Sequence, residues 1–255
     1  MTRTHLKHYR IYINGIDLSG TSRTIGPLAW MFGAEEDAAL TDASKNILIG
    51  QADIQAGALS AFLENDAAQL FANQAQTTRN LMVAIGANAA PVAGNPVFCW
   101  KFEDIGYKAE QGSGFVTATL PFGGPSFTST LTYQRPWGYL LHAKGAETAV
   151  NTAVGLDDNG ASSALGGIFI YHLFTSNGTC TLSVDDAATN TNPSFAALSG
   201  ATSGSINASV TPQHGMVALS TSATVRRYTR WQIAFGTATT ATFALGFIRN
   251  NLPSV

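Results

Sequence analysis

The residues able to do chemistry are few and scattered. The five histidines are His5, His8, His142, His172 and His214. His5 and His8 stand three apart, a spacing that can hold a metal on a helix, but no further ligand follows nearby in the chain. His172 lies inside FIYHLF, where a histidine is expected to be a satisfied structural side chain of a strand. Glu35, Glu36 and Asp37 are consecutive. Glycoside hydrolysis needs two opposed carboxylates several ångströms apart, which neighbours in sequence do not supply. They read as a solvated or partner-facing charge run. Asp157-Asp158-Asn159-Gly160 begins like a calcium loop but lacks the alternate ligand spacing and the later glutamate, so a turn is expected there.

No GxSxG, P-loop, HExxH or CxxC motif is present. The glycine pairs Gly123-Gly124 and Gly166-Gly167 flank strand-like runs instead of opening helices, so they are turns or bulges and not phosphate cradles. The residue types therefore predict no catalytic residue, no cofactor and no metal site. A non-enzymatic protein is expected.

The composition points the same way. Charged residues make up 12% of the 255 residues, about half the usual share in soluble domains. No stretch reaches the roughly 18 unbroken apolar residues of a membrane helix, so no membrane partner is expected. Thr, Ser, Asn and Gly carry the polarity instead. Desolvating a hydroxyl costs less than desolvating a charge, so such a surface suits contact with other copies of the chain. The formal net charge is −2, without a basic nucleic-acid patch. Small basic clusters lie at Arg3, Lys7 and Arg10 and at Arg226, Arg227 and Arg230. Two cysteines, Cys99 and Cys180, exclude a multi-bridge framework and are expected to be free and buried. MTRTHLKHYRIYING lacks the apolar core of a secretory signal, so synthesis and folding in a cytoplasm are expected. The acceptor patterns at Asn177 and Asn207 are then chance matches.

The elements that would position these groups are mostly strands. HYRIYING alternates with period two and ends in the turn signal Asn14-Gly15. Residues 19–46 lose the pattern and predict a long loop around an apolar island, Leu28 to Phe32. Two periods compete next: Leu59, Phe62, Leu63 and Leu70 fit a helical stripe, whereas Ile47, Ile49, Ile54, Ala56 and Ala58 fit strands, and a strand is expected to about Leu63. A short helix, Asp66 to Asn73, is predicted next, with Asn65 or Asp66 as its N-cap. TRNLMVAIGA, GNPVFCWKFEDIGYKAE and GSGFVTATLPFGG predict a three-strand antiparallel meander.

The texture changes at about 124–137. Beyond it, Asn177-Gly178 between two alternating runs predicts a hairpin. RRYTRWQIAFGTATTATFALGFIR predicts another, with Trp231, Ile233, Phe243, Leu245 and Phe247 facing a core and Arg226, Arg227, Arg230 and Arg249 facing solvent or a partner. The whole is mostly β, in two units: residues 1–124, a linker at 125–136, and a second β-sandwich or barrel, jelly-roll or Ig-like, over 137–255.

RIYINGIDLSG, the loop through Asn46, ADIQAGALSAFLEND, RNLMVAIGA and GNPVFCWKFEDIGYKAEQGSGFVTATLPFGG together resemble, in pattern and order, the major tail proteins of siphophages, the tail tube subunits. The resemblance covers roughly the first half. It implies a tail-tube-like antiparallel β-barrel or sandwich, self-association into trimeric or hexameric rings that stack into a tube, contact with other phage tail proteins, and residence in the virion tail. It also implies that viral DNA passes down the lumen without sequence-specific binding. On this reading Leu28, Trp30, Met31, Phe32, Glu35 and Glu36 are the subunit-interface candidates. Three other readings use the same β units: a capsid decoration protein, a head–tail joining protein, or a receptor-binding module with Trp137, Tyr139, Tyr171 and Trp231 as exposed aromatics.

Overall fold

The computed structural model describes residues 8–250 apart from 21, 37–46, 63–77, 88, 105, 107, 112–115, 126–134 and 158–160. Alternating sequence becomes strand throughout. In chain order these are β1 (Tyr9–Ile13), β2 (Ile16–Asp17), β3 (Ser22–Ile25), β4 (Leu28–Glu36), β5 (Ile47–Ala56) and β6 (Leu59–Phe62). Then follow β7 (Thr78–Ile85), β8 (Pro96–Asp104), β9 (Lys108–Gln111), β10 (Val116–Leu120), β11 (Phe122–Pro125), β12 (Trp137–Glu147) and β13 (Leu156–Asp157). The chain closes with β14 (Gly167–Ser176), β15 (Thr179–Ala187), β16 (Ala196–Asn207), β17 (Gln213–Ala218), β18 (Tyr228–Phe235) and β19 (Ala241–Arg249). The helix expected at 66–73 lies outside the described residues, as do His5, Arg3 and Lys7.

A nine-stranded antiparallel sheet in the order β17-β14-β19-β12-β8-β7-β1-β2, with β11 also on β8, forms the centre. A four-stranded sheet, β3-β6-β10-β9, belongs to the first half of the chain. Another, β13-β18-β15-β16, belongs to the second. β4 and β5 make a two-stranded ribbon of their own.

The centre is buried on both faces. Along β14, Ile168, Ile170 and Phe174 join one apolar cluster with Ile11, Leu81, Phe98 and Leu120. The alternate residues Phe169, Tyr171 and Leu173 join a second cluster with Leu182, Val184 and Ile233. β19 divides likewise, Ala244 and Ile248 to the first and Phe243, Leu245 and Phe247 to the second. A strand covered on both faces reads as a near-continuous apolar run, which is why GIFIYHLF carries so few polar residues.

Several expected pairings differ. β14 and β15 are not a hairpin across Asn177-Gly178; β14 stays in the central sheet and β15 enters the β13-β18-β15-β16 sheet. β18 and β19 part in the same way at Gly236 to Thr240. Both turns are corners between stacked sheets. Two apolar faces then meet across the second core, a better burial than one hairpin with an open face. Phe243, Leu245 and Phe247 do face that core, and Trp231 packs at its margin. The meander also divides. β7 and β8 pair as expected, but β10 pairs with β6 and β9 while β11 returns to β8.

The linker expected at 125–136 falls between β11 and β12. Across it β12 pairs with β8, setting Trp137 against Phe98 and Tyr139 against Pro96. Our proposal of two units is therefore one of two units that share a sheet. Cys99 and Cys180 are free and buried, as expected. Burial raises both thiol pKa values.

Candidate functional site

The interface candidates stand on the ribbon. Residues 19–46 are not one irregular loop, because β3 and β4 lie within them. β4 pairs with β5 in the register Leu28↔Ala56, Trp30↔Ile54, Phe32↔Ala52, Ala34↔Ile49 and Glu36↔Ile47. Between Phe32/Ala52 and Ala34/Ile49 the register shifts, with one extra residue on β5. Such a bulge moves every later residue of the bulged strand to the opposite face. Leu28, at the base, is partly buried and packs against the first core. At about 3.4 Å per residue, the nine residues of β4 extend roughly 30 Å.

The base is built by close glycines. Gly26 and Gly57 lie so near that a Cβ on Gly26 would stand 2.6 Å from Gly57 Cα. Gly26 N donates to Ala58 O at 3.0 Å and Gly57 N to Pro27 O at 2.8 Å. Chain enters the ribbon from β3 and returns from it into β6, and β3 and β6 pair. The ribbon is thus an extension of the β3-β6-β10-β9 sheet, turned off it at a glycine crossing.

That sheet ends in β3 and β9, each pairing with one neighbour among the described residues. All four residues of β9, Lys108 to Gln111, are exposed. Arg23 on β3 is exposed as well.

The histidines sit elsewhere. His142 is buried, its Nε2 2.9 Å from Glu147 Oε1 and its Nδ1 3.2 Å from Phe243 O. Its ring stacks on Phe243 and meets Trp231 edge-on. Both nitrogens are engaged, and the group braces the second core. His172 is fully buried and accepts at Nδ1 from Gly15 N, 2.9 Å away. Burial, and then the charge His214 would carry, depress its pKa to about 3. His214 lies opposite it on β17 and takes a hydrogen bond at Nδ1 from Asn80 Nδ2 at 2.8 Å. Among the described residues no group of three His, Cys, Asp or Glu gathers as a metal site. No helix there is long and apolar enough to cross a membrane.

The aromatics named for a binding groove do not share one surface. Trp137 and Tyr139 are exposed on β12, Tyr171 is buried, and Trp231 is half-buried against the second core. Nor do the arginines all face outward. Arg230 and Arg249 are buried. Arg230 pairs with Asp185 at 3.1 Å and Arg226 with Asp186 at 2.6 Å. Arg249 donates to Ala161 O, Arg226 O and Arg227 O. The sequence signal for this was available in Asp185-Asp186, adjacent acids on a strand that pairs with β18. Asp157 lies in β13, and 158–160 are outside the described residues.

No protein-family model matches the chain, and no curated protein matches it. Among solved structures it is similar to one described as "Crystal Structure of SPP1 Dit (gp 19.1) Protein, a Paradigm of Hub Adsorption Apparatus in Gram-positive Infecting Phages". Identity is 12%, the match spans 94% of this chain and 99% of that one, and the TM-score is 0.33. At that level the likeness carries no argument about function.

Proposed function

We propose that this chain is a structural protein of a long-tailed bacteriophage tail, of the major tail (tube) type, and that copies of it form rings that stack into the tube. The observation that carries the reading is the β3-β6-β10-β9 sheet, whose two end strands are different segments of the chain, each with one strand neighbour among the described residues. A contact between two unlike edges is heterologous, and heterologous contacts close into rings when the rotation allows. An exposed edge left without a partner invites pairing with other chains, so a protein that keeps one has a use for it. The ribbon supplies a second contact, directed from the same sheet toward the next ring.

On this reading the interface residues are Leu28, Trp30, Met31, Phe32, Glu35 and Glu36. Other tail proteins meet the ends of the stack, and viral DNA passes through the lumen. Fourteen Lys and Arg against sixteen Asp and Glu suit a channel that must not grip phosphates. Rings of three or of six chains are both consistent with the proposal.

Negative-stain electron microscopy of the concentrated protein tests it. Rings or hollow tubes are expected. Trp30→Ala combined with Phe32→Ala should leave soluble subunits that form no tubes, with an unchanged far-UV circular dichroism spectrum. An Arg23→Cys, Glu110→Cys variant should form disulfide-linked ladders between chains. Monodisperse monomers with no ladder at any concentration would overturn the reading and favour decoration or receptor binding.

A further inference from the structure

The central sheet curls until its two ends approach each other, and histidines hold the gap. At one end Asn14 and Gly15 form the two-residue turn between β1 and β2, with φ of 48° and 81°. At the other end lie β14 and β17, with His172 directly opposite His214. Gly15 N donates to His172 Nδ1, and Asn80 Nδ2 on β7 donates to His214 Nδ1. The contact is close: a Cβ on Gly15 would stand 2.7 Å from Pro212 Cβ. Asn80 is tied in turn to the turn itself, since Asn80 N donates to Asn14 Oδ1 at 2.7 Å and Asn14 N to Asn80 O at 3.1 Å.

Both imidazoles therefore serve as acceptors, and each does so through the nitrogen that a proton would take. An imidazolium has only donors. Protonating His172 would set an N–H against the Gly15 N–H in a fully buried position. Protonating His214 would do the same against Asn80 and place two cations on facing residues. The charged and titratable groups around the pair reinforce this. Arg79 on β7 and Lys101 on β8 disfavour a charge on His214, whose pKa is lowered first by burial and then by these two. Asp17 on β2 is held by Lys144 of β12 at 2.7 Å, and the Lys144 ammonium lies over Phe174. Tyr12 on β1, its ring 6.0 Å from that of His172, is a buried phenol that stays neutral.

We infer that the seam between β1–β2 and β14–β17 is an acid-released latch: protonation of His172 and His214 removes both acceptors and frees the β1–β2 turn while the rest of the fold persists. The turn leads straight into β3 and the ribbon, so release of the seam loosens the segment that carries them.

Hydrogen exchange read by mass spectrometry on the whole chain tests this at pH 7.5 and 4.5, with times rescaled for intrinsic exchange. Peptides covering 9–17 and 78–85 should open at least about 300-fold more at pH 4.5: about 100-fold for His172, which titrates near 6.5 when released and far lower when latched, multiplied by a smaller factor of at least about three for His214. Peptides covering β15, which open only with the whole fold, should stay far better protected than the seam at both pH values. In His214→Gln, which keeps an acceptor without a titrating group at the half-exposed position, the acid enhancement should shrink at least threefold. In His172→Asn with His214→Gln it should vanish. Equal enhancement in wild type and His214→Gln would overturn the proposal. So would unchanged protection at pH 4.5, or β15 peptides no better protected than the seam peptides.

Discussion

The Arg230 guanidinium donates from Nη2 to Asp185 Oδ2 across 3.1 Å, and both side chains are almost wholly buried. Arg230 also reaches Ala153 O at 3.0 Å and Asn192 Oδ1 at 2.6 Å and lies over the Phe195 ring. One charge pair thus fastens the 147–157 connection and the 189–195 turn to the β15–β18 ladder. Removing one partner strands the other in a low-dielectric setting. Asp185→Ala should cost about 3–5 kcal/mol in urea denaturation. Asp185→Leu with Arg230→Met should cost less than either single change, because no unpaired charge remains.

The two corners of the second core are joined by Asn177. Its Oδ1 accepts from Thr239 N at 2.8 Å and Thr240 N at 3.1 Å, and its Nδ2 donates to Thr239 Oγ1 at 2.7 Å. Asn177→Ala should lower stability by about 1–2 kcal/mol although the turn is exposed. Asn177→Asp, which keeps the acceptor, should lose less. Thermal unfolding of the three proteins checks the order.

Phe243 and Trp231 lie 5.5 Å apart between ring centroids but differ in burial. Phe243 is wholly inside, and Trp231 keeps one side toward solvent. Phe243→Ala should therefore cost about 3–5 kcal/mol, and Trp231→Ala roughly 2 kcal/mol. Equal losses would show that the outer layer closes over Trp231 more fully than the fold places it.

Stability should fall in acid, and the sign follows from two kinds of group. His172 and His214 have folded pKa values below the unfolded value near 6.5. The unfolded chain takes up their protons first, so stability is full above about pH 6.5 and declines toward pH 3. The limiting slope is about 1.4 kcal/mol per pH unit for each histidine. Burial alone would raise the pKa of Asp17, but hydrogen bonds from Lys144 and Ser19 outweigh it and hold the carboxyl below its ordinary value. Its contribution is present above about pH 3.8 and is lost as pH falls through the folded value. Urea titrations from pH 8 to 4 should show a plateau and then a decline, shallower in His172→Asn.

Strand content was legible because alternation is local. Tyr9 to Ile13, Thr179 to Ala187 and Ala241 to Arg249 all announce a period of two, and the Asn14-Gly15 turn announces itself by residue type. Pairing was not legible, because it is set by distant faces. Asn177-Gly178 and Gly236 to Thr240 carry hairpin chemistry, yet the chain crosses between sheets at both, since the apolar faces of β14 and β19 find deeper burial against β15 and β18. Between Ile47 and Leu63 the sequence offered a helical stripe and strand alternation together; the bulge in β5 appears only in the register with its partner strand. Burial of Arg230 and Arg249 escaped the sequence for a related reason. Alternation assigns a face to a side chain, and what covers that face comes from elsewhere in the chain.

β14 and β19 contribute side chains to both cores at once, and that double membership has a consequence for how the molecule comes apart. Each core has one sheet of its own and shares the central sheet, so dissolving one bares a face of the strands that wall the other. The halves of the chain are coupled thermodynamically through these two strands. Synthesis must pass Arg249 before either core can close, and a nascent chain that stops short of β19 holds two open interiors at the same time.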